Sequence, residues 1–396
     1  MNKMTVRDIE VTGKRVLVRV DFNVPLDAKT GAITDDSRIR ASLPTINYLL
    51  EHKAKVILLS HLGRPKGKVV DDMRLAPVAR RLSEILRQQV KVATDCVGTE
   101  AEKAVAALKS GDVLMLENLR FHPEEEKGDE SFARALASLG DIYVNDAFGT
   151  SHRAHASMSG ITHYLPAVSG FLLEKEINTL GGLLDSPTHP FVAIFGGVKV
   201  SDKVAMLKNI IGKVDYLLIG GGMAATFLKA KSYEVGASPV ENDIIDIAVE
   251  LMKNAEKSGS RFLLPLDVMV ADKIDASAAG KVVPVDAVPP DKMIVDIGPK
   301  TIELFTRELE KSRTVFWNGP VGVEEIPQFA KGTHALAKLL PRLKARTIVG
   351  GGSTAEVITS LGLADKVTFV STGGGASLEF LGGDALPGVV ALRDKV

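Results

Sequence analysis

The sequence predicts two doubly wound α/β domains, each a parallel sheet covered by helices on both faces, joined by a helix and with a cleft between them. Three observations carry this reading. Short β-branched runs alternate with helical periodicity along the chain. Its 396 residues exceed what one hydrophobic core usually serves. The residues that follow the strand runs also change character halfway, from charged and amide side chains to glycines.

In the first half, the runs at 14–20, 55–60, 90–93, 112–117 and 141–145 read as strands. Between them, 75–88 and 131–139 carry apolar residues at three- and four-residue spacing, the period of a helix with one buried face. Residues 123–130, PEEEKGDE, read as a solvated acidic loop. Residues 171–184 read as a connecting helix, stopped by the turn-rich DSPTHP. The second half repeats the alternation, with strands at 191–195, 216–219, 261–265, 314–317, 346–349 and 366–370. Strands that alternate with helices pair in parallel, because each crossover helix must pack back on the sheet. The expected organisation is a first domain over 1–170, a connecting helix and hinge over 171–187 and a second domain over 188–385.

Apolar residues make up 45% and charged residues 25%, a soluble globular balance. Formal net charge is zero, so no basic field draws the chain to nucleic acid or to an anionic membrane. No apolar run approaches the roughly 18 residues of a membrane helix. The opening MNKMTVRDIEV is broken by charges and lacks the apolar core of a signal peptide. Cys96 is the single cysteine, so no internal disulfide forms; it reads as a small hydrophobe in a reducing, cytoplasmic setting.

Ligands of open parallel sheets bind outside the carboxyl ends of the strands. In the first half those ends carry Asp21 and Asn23, then His61 and Arg64, then Arg120, then DAFG from Asp146. With Arg38 and Arg153 these residues read as a cradle for a compact, oxygen-rich anion, since guanidinium forks match carboxylate and phosphate. In the second half the ends are Gly196-Gly197, Gly220-Gly221-Gly222, Asn318-Gly319-Pro320, Gly350-Gly351-Gly352 and Gly373-Gly374-Gly375. Glycine admits close backbone approach, and a following helix N-terminus offers free N–H groups to phosphate, so this half reads as the nucleotide side. Lys199 and Lys203 are spaced four apart, as if on one helical face at such an N-terminus. Trp317 reads as packing. His152 and His155 lack accompanying ligands at metal spacing. No P-loop, dinucleotide fingerprint, nucleophile elbow or HExxH is present.

RVDFNVP (19–25), HLGRP (61–65), ENLRF (117–121), DAFGTSHRAH (146–155), GGVKVSDK (196–203), WNGPVGVEE (317–325) and STGGGASLEFL (371–381) resemble the phosphoglycerate kinase family in order and spacing. The similarity covers nearly the whole chain. It implies reversible phosphoryl transfer between ATP and the carboxylate of 3-phosphoglycerate, giving 1,3-bisphosphoglycerate and ADP, with Mg2+ carried by the nucleotide. By the same resemblance, Asp21, Asn23, Arg38, His61, Arg64, Arg120 and Arg153 bind the phosphoglycerate. Lys203, Asn318, Pro320, Val321 and Glu325 serve the nucleotide, with Gly197, Gly221, Gly351, Gly352, Ser353 and Thr354 along its phosphates. Arg38, Lys199 and the amides of Gly373, Gly374 and Gly375 surround the phosphoryl group in flight. The resemblance also implies a monomer whose two halves close on their ligands, and a return of residues 386–396 to the first domain. The chain departs from the family pattern at Glu324, where Phe is usual, and at Ser353, where an acidic residue usually helps hold the metal. Another two-domain sugar- or acid-phosphate kinase and a catalytically silent nucleotide-binding regulator are the competing readings. The arginine-rich first half speaks against the former, and the presence of Arg38, Lys199 and Lys203 against the latter.

Overall fold

The computed structural model describes residues 2–27 and 29–395; Met1, Ala28 and Val396 lie outside the described residues. The chain divides into two compact units, Met1–Asn178 with Ala385–Val396 and Thr179–Asp384. The helix Phe171–Asp185 carries the chain from one unit into the next.

The first unit holds β1 (Arg15–Val20), β2 (Lys55–Leu59), β3 (Val90–Val92), β4 (Val113–Met115), β5 (Ile142–Asp146) and β6 (Ala167–Ser169). All pair in parallel, in the order β3-β4-β2-β1-β5-β6. β1 lies at the centre, and Val16, Leu17, Val18 and Val20 are fully buried. Helices on both faces explain why such strands read as continuous apolar runs rather than alternating ones. The chain steps from β1 outward to β2, and later to β5 on the other side. The crevice beyond β1 and β5 is therefore the switch point where such folds place ligands. Residues near the C-terminus complete this unit. Gly388 N donates to Ser151 O at 2.8 Å, and Met4 N to Arg393 O at 2.8 Å.

The second unit holds β7 (Phe191–Phe195), β8 (Tyr216–Ile219), β9 (Arg261–Leu263), β10 (Asp267–Ala271), β11 (Lys281–Pro284), β12 (Met293–Ile297), β13 (Thr314–Asn318), β14 (Arg346–Gly350) and β15 (Phe369–Val370). Six of these form a second all-parallel sheet, β15-β14-β13-β7-β8-β9, with its switch point at β7 and β13. Trp317 is fully buried in this unit's core, and its Nε1 donates to Gly319 O at 2.7 Å.

Two expectations need correction. The second unit also carries a three-stranded antiparallel sheet, β11-β10-β12, which sequence alternation did not reveal. Its edge strand β11 is mostly exposed, so its pattern resembles a loop. The segment 123–130 is not a solvated loop either. Pro123–Lys127 is a short helix, started by proline at its first position, and Glu125 within it is fully buried. No helix among the described residues is long and apolar enough to cross a membrane.

Candidate functional site

In the first unit, the ends of β1, β2, β4 and β5 gather a buried and half-buried cationic cluster. Asp21, just past β1, accepts from Arg38 Nη1 at 2.7 Å. Asn23 Oδ1 accepts from the backbone of Gly63 at 2.8 Å, and Arg120 Nη1 donates to Gly63 O at 3.0 Å. The HLGRP turn is thereby held from both sides, and Arg64, the next residue, projects exposed from it. Arg120 is itself buried, with Nε 3.4 Å from Glu126 Oε1. Arg153 is exposed, yet close enough to act electrostatically on Arg120 and His155.

His61 is 3% exposed. Burial, followed by the charges of Arg19, Arg120 and Arg38, holds its imidazole well below the usual range, so it is neutral at neutral pH. His155 is pushed down to about 4, first by burial and then by Arg19 and Arg120. An anion that enters this cluster meets guanidinium charges, those of Arg38 and Arg120 held by Asp21 and Gly63, and a neutral imidazole.

Asp146, the first residue of DAFGTSHRAH, turns away from the ligand side. Its Oδ1 accepts from Leu172 N at 2.9 Å and Leu173 N at 3.3 Å, capping the helix Phe171–Asp185. Burial pushes this carboxyl up to about 7.

In the second unit the strand ends meet through backbone. Gly197 N donates to Pro320 O at 2.8 Å, and Gly221 N to Val321 O at 2.9 Å. A Cβ on Gly196 would stand 2.1 Å from Pro320 O, and one on Gly319 would stand 2.3 Å from Gly196 O. These glycines are required by the packing of one strand-end loop on another. Gly352 and Gly374 differ, because nothing lies within 4 Å of where their Cβ atoms would be. Each lies at the start of a helix, Gly352–Ser360 and Gly375–Gly382, whose first turn no side chain caps. Those free N–H groups suit phosphate. Gly373 N is turned inward to Ser371 Oγ at 3.1 Å.

Lys203 Nζ donates to Asn318 Oδ1 at 2.8 Å, and burial lowers the lysine's pKa. Asn318 is 2% exposed and its Nδ2 has no hydrogen-bond partner. That amide points past Gly351, whose Cβ would lie 3.0 Å from it. Gly197, Lys203, Asn318 and Gly351 therefore form one polar pocket, and a buried donor in it awaits an acceptor.

Lys199 does not share a helical face with Lys203. It is exposed in the bend before the 3-10 turn Ser201–Lys203, and the α-helix begins only at Val204. Thr354 is buried and its Oγ1 accepts from Gly319 N at 2.7 Å, so its hydroxyl braces the β13 loop from within. Ser353 and Glu325 are exposed, and Pro320 is half-buried. Ser353 hydrogen-bonds Glu324, whose carboxyl is raised by burial and then by Glu325 and Glu356. His152 and His155 belong to no metal-ligand group; Asp95, Cys96 and His122 are the group among the described residues with ligand atoms close together. There the His122 Nε2 and Asp95 Oδ1 atoms, 2.6 Å apart, satisfy one another.

Sequence reading passed over Arg19, Glu125 and Ser157, all fully buried behind the cluster. Arg19 did leave a signal, since an arginine inside a central β-branched strand must be paired to be buried. Glu125 left none, because its neighbours in PEEEK are exposed or half-buried.

The profile of the family described as phosphoglycerate kinase matches residues 6–384. The chain is 58% identical to the phosphoglycerate kinase of Moorella thermoacetica, over 100% of both chains. It is 56% identical to that of Pelotomaculum thermopropionicum, again over 100% of both. Among solved structures, phosphoglycerate kinase from Coxiella burnetii superposes with a TM-score of 0.88 at 41% identity, covering 98% of each chain. The enzyme from Pyrococcus horikoshii gives 0.86 at 34% identity, also with 98% of each chain covered.

Proposed function

Since the chain belongs to the phosphoglycerate kinase family, we propose that its two units divide the reaction, the first binding phosphoglycerate and the second the nucleotide. The activity itself is the family's: glycolytic phosphoryl transfer between ATP and the carboxylate of 3-phosphoglycerate. The observation that carries the division is the contrast in strand ends. Arg38, Arg120, Arg153 and His61 gather in the first unit, and uncapped glycine-led helices with Lys203 and Asn318 lie in the second.

In this reading Asp21, Asn23, Arg38, His61, Arg64, Arg120 and Arg153 hold the phosphoglycerate. Asp21 orients Arg38, and the braced Gly63 turn sets Arg64. Lys203, Asn318 and the N–H groups from Gly351 and Gly352 hold nucleotide phosphates, while Glu325 takes the ribose hydroxyls. The acceptor is a carboxylate, ionised at neutral pH, so no general base is needed. The work is to position two anions and neutralise the moving group. By the family resemblance, Arg38 of the first unit and, in the second, Lys199 and the amides at Gly374 are the groups assigned to that neutralisation.

The donor set around Ser353 fits magnesium, because it offers only hard oxygen: the serine hydroxyl with the carboxylates of Glu324, Glu325 and Glu356. Ser353 and Glu324 would hold the ion, which when bound supplies charge neutralisation to the nucleotide phosphates. A monomer in the cytoplasm completes the proposal, supported by the family resemblance and the lone buried Cys96. A coupled assay with 3-phosphoglycerate, ATP and magnesium tests the division through variants. Arg120→Ala should raise the KM for phosphoglycerate alone and Lys203→Met the KM for ATP alone. The reverse pattern would overturn the assignment.

A further inference from the structure

We propose that Glu125 is a positioning residue for phosphoglycerate binding, acting through Ser157 and Arg19 to hold His61 as the tautomer that donates from Nε2. This rests on the reading of His61 as a phosphoglycerate ligand.

A lone carboxylate buried this completely costs several kcal/mol unless it is paired and hydrogen-bonded. Glu125 is matched on both oxygens by one residue. Its Oε1 accepts from Ser157 Oγ at 2.6 Å and its Oε2 from Ser157 N at 2.9 Å. Tyr143 fixes Ser157 from its other end, the phenol donating to Ser157 O at 2.8 Å. Because the serine proton is committed to Glu125, the Ser157 oxygen must accept from its remaining neighbour. That neighbour is Arg19 Nε, at 2.9 Å. The guanidinium is further held by the bond from Nη1 to Val20 O. Its third arm, Nη2, lies 3.2 Å from His61 Nδ1.

The direction of this last contact follows from chemistry. Arginine has donors only and stays protonated, so His61 Nδ1 must accept. The single ring proton of a neutral imidazole is then on Nε2, where it can be donated to an anion. The reversed tautomer would present a lone pair there and repel the ligand. Protonation of His61 is opposed on every side. Arg19 faces it from β1, Arg38 from the helix Ser37–Ala41 and Arg120 from the turn after β4, while His155, from the segment after β5, is neutral and adds no charge. Around Glu125 the facing groups are Arg19 and Arg120, with His155 Nδ1 3.8 Å from Oε1 and the Cys96 thiol nearby. Burial pushes the Glu125 carboxyl up, and Arg19 and the two Ser157 bonds oppose that shift; as a carboxylate it is the counter-charge to Arg19 among like charges. His61 itself therefore stays a neutral donor through the neutral pH range.

Three variants test this: Glu125→Gln, Ser157→Ala and His61→Gln. The first is nearly isosteric but removes the charge, and the second removes the relay hydroxyl while the backbone bond from Ser157 N to Glu125 Oε2 remains. Both are expected to raise the KM for 3-phosphoglycerate about tenfold, leaving the KM for ATP at its wild-type value. Long-range 1H–15N spectra of the His61 ring should show one Nε2–H tautomer in the wild type and a mixture in both variants. If His61→Gln raises this KM while Glu125→Gln and Ser157→Ala match the wild type, the positioning role is overturned. A raised KM with an unchanged ring spectrum overturns it too, because Glu125 then acts only by holding the fold. Should Glu125→Gln fail to fold, Ser157→Ala decides. An unchanged KM in His61→Gln instead sinks the ligand reading of His61, whatever the other two variants do.

Discussion

At the ends of β1, β2 and β4 the polar groups offered to a ligand are guanidinium, imidazole and amide side chains. In the second unit they are chiefly the peptide N–H groups of the glycine-led helix starts after β14 and β15. Both sheets are parallel and both have a switch point, so topology does not explain the difference. On the proposed division of ligands, their chemistry does. A small acid with charges at both ends needs forks aimed from several directions, and only side chains reach that far. A chain of phosphates can lie along backbone N–H groups, which are rigid without further support. The first arrangement must compensate its own buried charge, which is why a carboxylate stands behind it. The second packs backbone on backbone, which is why Gly196 and Gly319 have no room for a side chain.

The sharpest test of the comparison is Arg38→Ala. If first-unit side chains carry the transition state, turnover should fall on the order of a hundredfold or more, with the KM for ATP unchanged. A normal turnover with only a higher KM for phosphoglycerate would make Arg38 a binding group like the rest.

A smaller effect separates the two kinds of glycine. Gly319 has φ +94°, and a Cβ there meets Gly196 O at 2.3 Å. Gly319→Ala should lower stability by about 2 kcal/mol or more, read as an earlier thermal unfolding transition. Gly352→Ala meets nothing within 4 Å and should unfold like the wild type, while raising the KM for ATP. Equal stability losses would erase the distinction.

Lys203→Met should raise the KM for ATP about tenfold, by removing a phosphate ligand and leaving Asn318 Oδ1 without its donor. An equal rise for both substrates would show that the pocket is not specific to the second unit.

A further test concerns a feature the units share. Asp146 in the first and Asp296 in the second are each pushed up to about 7, chiefly by burial, against an ordinary value of 3.8. Between those values the folded state holds more protons than the unfolded one. Their contribution therefore weakens the fold as pH rises, and the loss is complete above about 7. Carboxyl 13C titrations of the two residues should show midpoints near neutrality; midpoints near 4 would mean that burial is not felt.

The sequence by itself determined the alternation of strands and helices, the place of most strands within a few residues, the family and the contrast between the two sets of strand ends. These are local or periodic properties, set by β-branching, apolar spacing and short motifs, and they survive without knowledge of distant neighbours. Tertiary structure alone decided what depends on partners far along the chain. PEEEK looks solvated because it is a run of charged residues, and the partner of buried Glu125, Ser157, lies at residue separation 32. Lys199 and Lys203 have helical spacing, but the helix starts after both. Thr354 sits in a phosphate-like motif, yet its hydroxyl is committed to Gly319, at residue separation 35. The antiparallel sheet was hidden because an exposed edge strand has no buried face to impose a period. Burial and hydrogen-bond partnership are properties of pairs, and a pair distant in sequence is brought together only by the fold.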